Sequence, residues 1–251
     1  MDAAGPARDQ PRRVLCFAAH PDDLDFGASG TVAAWTDAGV EVQYCIMTDG
    51  DAGGFDPGHR DSIVEMRHRE QREAAADVGV ARVHFLGERD GYLEPSHEVQ
   101  RKVVALMREV RPDVVLAMHP ERDWERLQRS HPDHLACGEA VVRAAYPAVE
   151  NPYAYPELAG QGLEAFKLRS LWLYGAPAAR ENHWVDIQDT FERKLGALRR
   201  HLSQHPDPGR MEDYVRRQAA QKAALAGMNA GSLAEAFHVV EVNAEDTIAG
   251  F

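Results

Sequence analysis

Two short stretches carry side chains that could do chemistry together: Ala19-His20-Pro21-Asp22-Asp23 and Ser130-His131-Pro132-Asp133-His134. His20, Asp23 and His134 offer two imidazoles and one carboxylate, a donor set that leaves a coordination position open for water or substrate. The set suits Zn²⁺, and Fe²⁺ or Co²⁺ would fit the same donors. Asp22 would then stand beside the ion without ligating it, able to take a proton from water and pass it to a leaving amine. His131, on the same loop as His134, could stabilise a developing oxyanion if protonated. Each residue also has a plainer reading. A lone His before a helix is usually a cap or a surface residue, and adjacent aspartates after a strand usually form turns and caps. No H-E-x-x-H-like signature is present, so spacing alone leaves the metal site and the plainer readings both open.

The elements around the two stretches decide whether they can meet. Residues 14–19 are a short apolar run of the buried-strand type, followed by a turn and a helical stretch over 26–38 that Gly39 closes. A second strand over 40–48 leads into a glycine-rich loop, an amphipathic helix over 62–78 and a third strand over 83–87. A helix over 97–110, a strand over 113–118 and a helix over 132–145 complete the regular part. This alternation predicts an α/β, Rossmann-like fold with a mostly parallel, doubly wound sheet flanked by helices. In a sheet ordered 3-2-1-4, strands one and four are neighbours, and the loops after them meet at the switch point where such folds bind ligands.

Beyond residue 145 the pattern loosens. Residues 145–162 carry three prolines and three tyrosines and read as a long loop that could close or open a pocket. A strand over 168–175, a short strand with a helix from near Asp189, a break at 203–210, a helix over 211–226 and a last, antiparallel-compatible strand over 236–242 follow. No linker of domain-boundary composition divides the halves, so the expectation is a loose tail over 1–12 and a single domain over 13–251.

The formal charge of −12, from 28 basic and 40 acidic residues, argues against a nucleic-acid partner, which wants a basic face. There is no signal-peptide pattern and no apolar run of about 18 residues, so no membrane association is expected. Cys16, Cys45 and Cys137 sit in apolar contexts without a C-x-x-C pair, which reads as buried free thiols in a reducing compartment, hence the cytoplasm.

The A-H-P-D-D stretch with its downstream H-P-D-H resembles the LmbE/PIG-L family of metal-dependent N-acetylsugar deacetylases. Agreement extends to Phe26-Gly27-Ala28-Ser29-Gly30-Thr31, to Met47-Thr48-Asp49-Gly50, to Arg67 and Glu70 followed by Ala74, Ala75 and Gly79, and to Phe85-Leu86-Gly87 with Asp90-Gly91. The likeness covers about residues 13–145 and fades afterwards. By position it implies His20, Asp23 and His134 as zinc ligands, Asp22 as general base and acid, and His131 as the oxyanion-stabilising histidine. It implies removal of an N-acetyl group from a small amino-sugar substrate, and is compatible with a homo-oligomer. One departure is Leu24-Asp25, where many members have Glu directly after H-P-D-D; the ligand set is untouched, but the hydrogen bonds around it must differ.

Arg67 and Asp90 are candidates for holding substrate hydroxyls, although Arg67 could equally pair with Glu70 on its own helix. His119 points to the same end of the sheet and fits a supporting role better than ligation. His59, His68, His84, His97, His183, His201, His205 and His238 show no ligand spacing and read as surface or core residues. Gly27 and Gly30 lack the full dinucleotide pattern and follow two aspartates that would repel a pyrophosphate. Two other functions remain in view: an amidase acting on a larger conjugate, such as a thiol-sugar adduct or an acylated antibiotic, and a non-catalytic sugar- or nucleotide-binding module, which would have no need of Asp22 beside an ion.

Overall fold

The apolar runs form the middle of one seven-stranded sheet. The computed structural model describes residues 10–125 and 127–243. In chain order the strands are β1 (Arg13–Ala18), β2 (Glu41–Thr48), β3 (Arg82–Glu88), β4 (Val114–Met118), β5 (Ser170–Tyr174), β6 (His183–Asp186) and β7 (Ala234–Glu241). They are arranged β3-β2-β1-β4-β5-β7-β6. β1 to β5 pair in parallel, and β7 runs antiparallel to both its neighbours. β1 and β4 are buried on both faces, which is why they read as continuous apolar runs rather than alternating ones. Their register, Val14 opposite Val114 and Cys16 opposite Leu116, brings the two chemistry-bearing loops out side by side.

The helices are α1 (Asp23–Gly27), α2 (Ser29–Asp37), α3 (Ile63–Asp77), α4 (His97–Val110), α5 (Pro132–Arg143), α6 (Phe191–Arg199) and α7 (Pro208–Leu225). α2 and α3 pack with α6, whereas α4 packs with α5. Right-handed crossovers on a sheet whose order reverses between β1 and β4 put these two groups on opposite faces. Cys16, Cys45 and Cys137 are buried free thiols. Among the described residues no helix is long and apolar enough to cross a membrane.

Two expectations need correction. The single helix over 26–38 is two helices, broken at Ala28, whose φ is −150° and ψ 0°. The side chain of Lys194 takes the carbonyls of Asp25 and Phe26, and the Glu235 carboxylate takes the amides of Gly30 and Thr31. Both orphaned helix ends are thus satisfied by distant side chains, which sequence periodicity does not register. Gly27 and Gly30 are small for packing: a Cβ there would lie 2.2 Å from the Tyr174 ring and 2.9 Å from Ile187, respectively.

The segment 145–162 is not an open loop. It folds as short turns of helix at the far end of α5, about 18 Å along that axis from His131 at the helical rise per residue. The buried Arg108 guanidinium gathers the carbonyls of Ala148, Val149, Asn151, Ala154 and Leu163, binding the segment to α4. Finally, residues 1–9 of the expected tail lie outside the described residues, but Arg12 and Arg13 are tethered through their amides to Asp113 Oδ2 at 2.8 and 3.0 Å.

Candidate metal and catalytic site

The turn after β1 is pinned at every residue. The Pro21 carbonyl accepts from Arg67 at 2.8 Å, the Asp22 amide donates to Gln71 at 2.8 Å, and the His20 amide donates to Asp23 Oδ2 at 2.7 Å. Asp22 lies in the left-handed region with φ 94° and ψ −26°, where a side chain other than glycine is strained. It occupies the cap position of α1, yet its side chain makes no capping bond. The plain reading of Asp22 as a cap therefore fails, and its carboxylate is left for other work.

His20, Asp23 and His134 come together. Asp23 lies between the two imidazoles, with Oδ2 3.3 Å from His20 Nδ1 and Oδ1 3.1 Å from His134 Nε2. On the other side of the His20 ring, Nε2 faces Asp90 Oδ1 and Asp133 Oδ2, each at 3.2 Å. Outer carboxylates of this kind fix the tautomer of a ligating imidazole and leave its second nitrogen for an ion. Asp133 is itself held by the amides of Gly91 at 2.7 Å and Leu93 at 3.3 Å.

Among the described residues, two donor groups have ligand atoms that all lie within 4.8 Å of one another, His20 with His131 and His134, and His20 with Asp90 and Asp133; His20 with Asp23 and His134 is not among them. The first uses His131, whose Nδ1 is already occupied in accepting the Asp133 amide at 3.2 Å as the cap of α5. The second uses Asp133, which is already bonded to two amides. Asp23 directs one oxygen to each of the imidazoles of His20 and His134.

The electrostatics agree with a site made for positive charge. Burial opposes the charge on His20, yet hydrogen bonds to Asp133, Asp23 and Asp90 overcome it and push its pKa up to about 12. Burial likewise opposes ionisation of Asp23, but the charges of His134 and His20 hold it well below the usual carboxylate range. His134 is raised by Asp23 against its own burial. His131 goes the other way, lowered by burial and by the neighbouring imidazoles of His20 and His134. Its Nδ1 accepts a backbone N–H, so Nε2 carries the ring proton. It can therefore donate a hydrogen bond as a neutral ring, without the protonation expected from sequence.

Arg67 is buried and does not pair with Glu70. Its guanidinium binds the carbonyls of Gly50 at 2.9 Å and Pro21 at 2.8 Å and lies 3.5 Å from Asp90 Oδ2. Glu70 instead receives the amide and hydroxyl of Ser203. His119 is drawn away from the cluster: its Nε2 meets His238 Nδ1 at 3.1 Å, and burial followed by repulsion from His238 lowers it to about 4.

Two of the histidines read as surface or core residues border the site. His201 Nε2 is 2.8 Å from the buried Asp25, and His205 Nε2 is 3.5 Å from Asp22 Oδ2. Nothing in their spacing to the two motifs marks them, because the contacts span 176 and 183 residues. The side chain of His59 lies outside the described residues.

Comparison with known proteins agrees with this geometry. The PIG-L family, described as GlcNAc-PI de-N-acetylase, matches residues 15–145, which hold every member of the cluster. The chain is 33% identical over 199 residues to a diacetylchitobiose deacetylase of Thermococcus kodakarensis, covering 78% of this chain and 71% of that protein. It is 33% identical over 201 residues to a probable N-acetyl-alpha-D-glucosaminyl L-malate deacetylase 2 of Bacillus cereus, covering 77% and 84%. The solved structure of an N,N'-diacetylchitobiose deacetylase from Pyrococcus horikoshii superposes with a TM-score of 0.84 at 32% identity, covering 95% of this chain and 87% of that one. On the paired motifs, the shared fold and these matches, the chain belongs to the PIG-L family of de-N-acetylases.

Proposed function

We propose that this chain, acting as one domain from residue 13 onward, is a metal-dependent hydrolase that removes the acetyl group from the amide nitrogen of a small amino sugar. The observation that carries the reading is the convergence of His20, Asp23 and His134 from two neighbouring loops, with Asp22 beside them. The substrates named for the relatives, diacetylchitobiose and an N-acetylglucosaminyl malate, favour a compact amino sugar over a larger conjugate. Buried thiols suit work in the cytoplasm.

Two imidazoles and a carboxylate fit a divalent ion of the zinc type, and the field that raises His20 fits any cation seated there. His20, Asp23 and His134 would hold it; when bound, such an ion polarises the amide carbonyl and makes water more acidic. Asp22 accepts the proton of the attacking water and then delivers it to the departing nitrogen. His131 donates a hydrogen bond from Nε2–H to the oxyanion as the carbonyl becomes tetrahedral, keeping its proton. Arg67 keeps Pro21 and Gly50 in place, and Asp90 fixes the His20 ring while facing the site.

Metal analysis of the purified chain, with acetate release from N,N'-diacetylchitobiose and N-acetylglucosamine derivatives before and after chelation, tests the reading. One ion per chain and chelator-sensitive acetate release are expected. Acetate release that persists in fully demetallated protein would overturn it.

A further inference from the structure

We infer that His205 is a positioning residue for Asp22, supplied by a part of the chain that lies outside the matched segment 15–145. This rests on the reading of Asp22 as the proton-transferring group. His205 follows α6, in the break before α7, and its Nε2 is 3.5 Å from Asp22 Oδ2. That nitrogen is buried and, among the described residues, makes no hydrogen bond, so no other group competes with Asp22 for it. The ring is kept in place by an edge contact with Phe26 at 5.1 Å and by its own amide, which donates to the His201 carbonyl at 3.1 Å. Arg67 faces the same Asp22 oxygen from 3.8 Å. Oδ2 is therefore faced by two side chains at ion-pair distance, and a hydrogen bond from His205 Nε2 would orient the carboxylate and leave Oδ1 for water and the leaving amine.

The residues around His205 are anchored as an active-site wall would be. His201 binds Asp25 at 2.8 Å, Ser203 binds Glu70 through amide and hydroxyl, and Gln204 Oε1 accepts the Gly54 amide at 3.2 Å. Three residues thus clamp α1, α3 and the glycine-rich loop together, and a fourth, His205, faces the reacting carboxylate. A surface histidine needs none of this.

The test compares His205→Ala, His205→Gln, Asp22→Asn and the Asp22→Asn/His205→Ala double variant as metal-loaded proteins, using N,N'-diacetylchitobiose. kcat, KM, bound metal per chain and Tm are measured for each. For His205→Ala, kcat should fall about 10- to 100-fold, as for other partners that orient a working side chain, with KM, metal content and Tm unchanged. His205→Gln, which can still donate a hydrogen bond, should recover part of the loss. The double variant should be no slower than Asp22→Asn alone, because His205 acts only through that carboxylate. His205→Ala with wild-type kcat beside an inactive Asp22→Asn would overturn the inference, as would equal losses in Ala and Gln variants accompanied by lowered Tm. A fully active Asp22→Asn would remove the reading of Asp22 itself, which is separable because His205 is intact there.

Discussion

Asp22 holds a backbone conformation that costs a residue other than glycine on the order of 1–3 kcal/mol, and the Gln71 side chain pins it there. Strain retained at a residue whose carboxylate caps nothing fits the proton-transferring role proposed for it. Replacing Asp22 with Ala should lower kcat by about 10²- to 10⁴-fold, the usual worth of a proton-transferring group, while metal content stays at the wild-type level. Ordinary turnover in that variant, assayed by acetate release, would remove the base from the mechanism. His134→Ala should do the reverse. It takes away one of the imidazoles that Asp23 joins, so metal analysis should find the ion largely lost.

At the scale of elements, the site depends on how closely α5 lies on β4. Gly138 allows that approach: a Cβ there would come within 2.5 Å of the Met118 carbonyl and 2.9 Å of the Pro120 nitrogen, both backbone atoms with little room to yield. Gly138→Ala should therefore push α5 outward and cost about 1–3 kcal/mol of stability, read as a lowered denaturation midpoint. Because α5 carries His134 and is capped by His131, bound metal should fall with it. Arg108 makes a contrasting case. Its guanidinium holds five carbonyls of the segment after α5, and Arg108→Ala should expose residues 145–162 to limited proteolysis. Since that segment lies at the far end of α5, kcat should change little; a large drop would place the segment back at the site.

Across the whole molecule, buried charges join the C-terminal half to the β1 turn. Lys194 pairs with Glu235 at 2.7 Å, and the same ammonium receives the Asp25 and Phe26 carbonyls, so β7, α6 and α1 meet at one nitrogen. Beside it, Asp25 bonds Gln71 and His201, accommodating the carboxylate that stands one position later than the usual family Glu. Burial works against charge on His201, but its hydrogen bond to Asp25 and the attraction of that carboxylate raise its pKa above the usual 6.5. A pKa raised on folding adds stability that is complete below about 6.5 and disappears as pH rises through the folded-state value. The Tm difference between wild type and His201→Asn should accordingly be larger at pH 6 than well above neutrality. A difference that is flat across that range, or grows with pH, would show that the pair is not charged in the folded protein.

The alternation of strands and helices and the neighbouring places of β1 and β4 were legible along the chain, as were the two motifs that hold His20, Asp22, Asp23, His131 and His134. Periodicity, capping and motif spacing are local properties, and the reversal of strand order follows from them with few alternatives. That His131 can donate as a neutral ring required the geometry around Asp133. The break at Ala28, the folding of residues 145–162 onto α4, the pairing of His119 with His238, and the contacts of His201 and His205 with Asp25 and Asp22 were decided only in three dimensions. Each rests on contacts between residues distant in sequence or on how close two backbones come, and no local pattern encodes either.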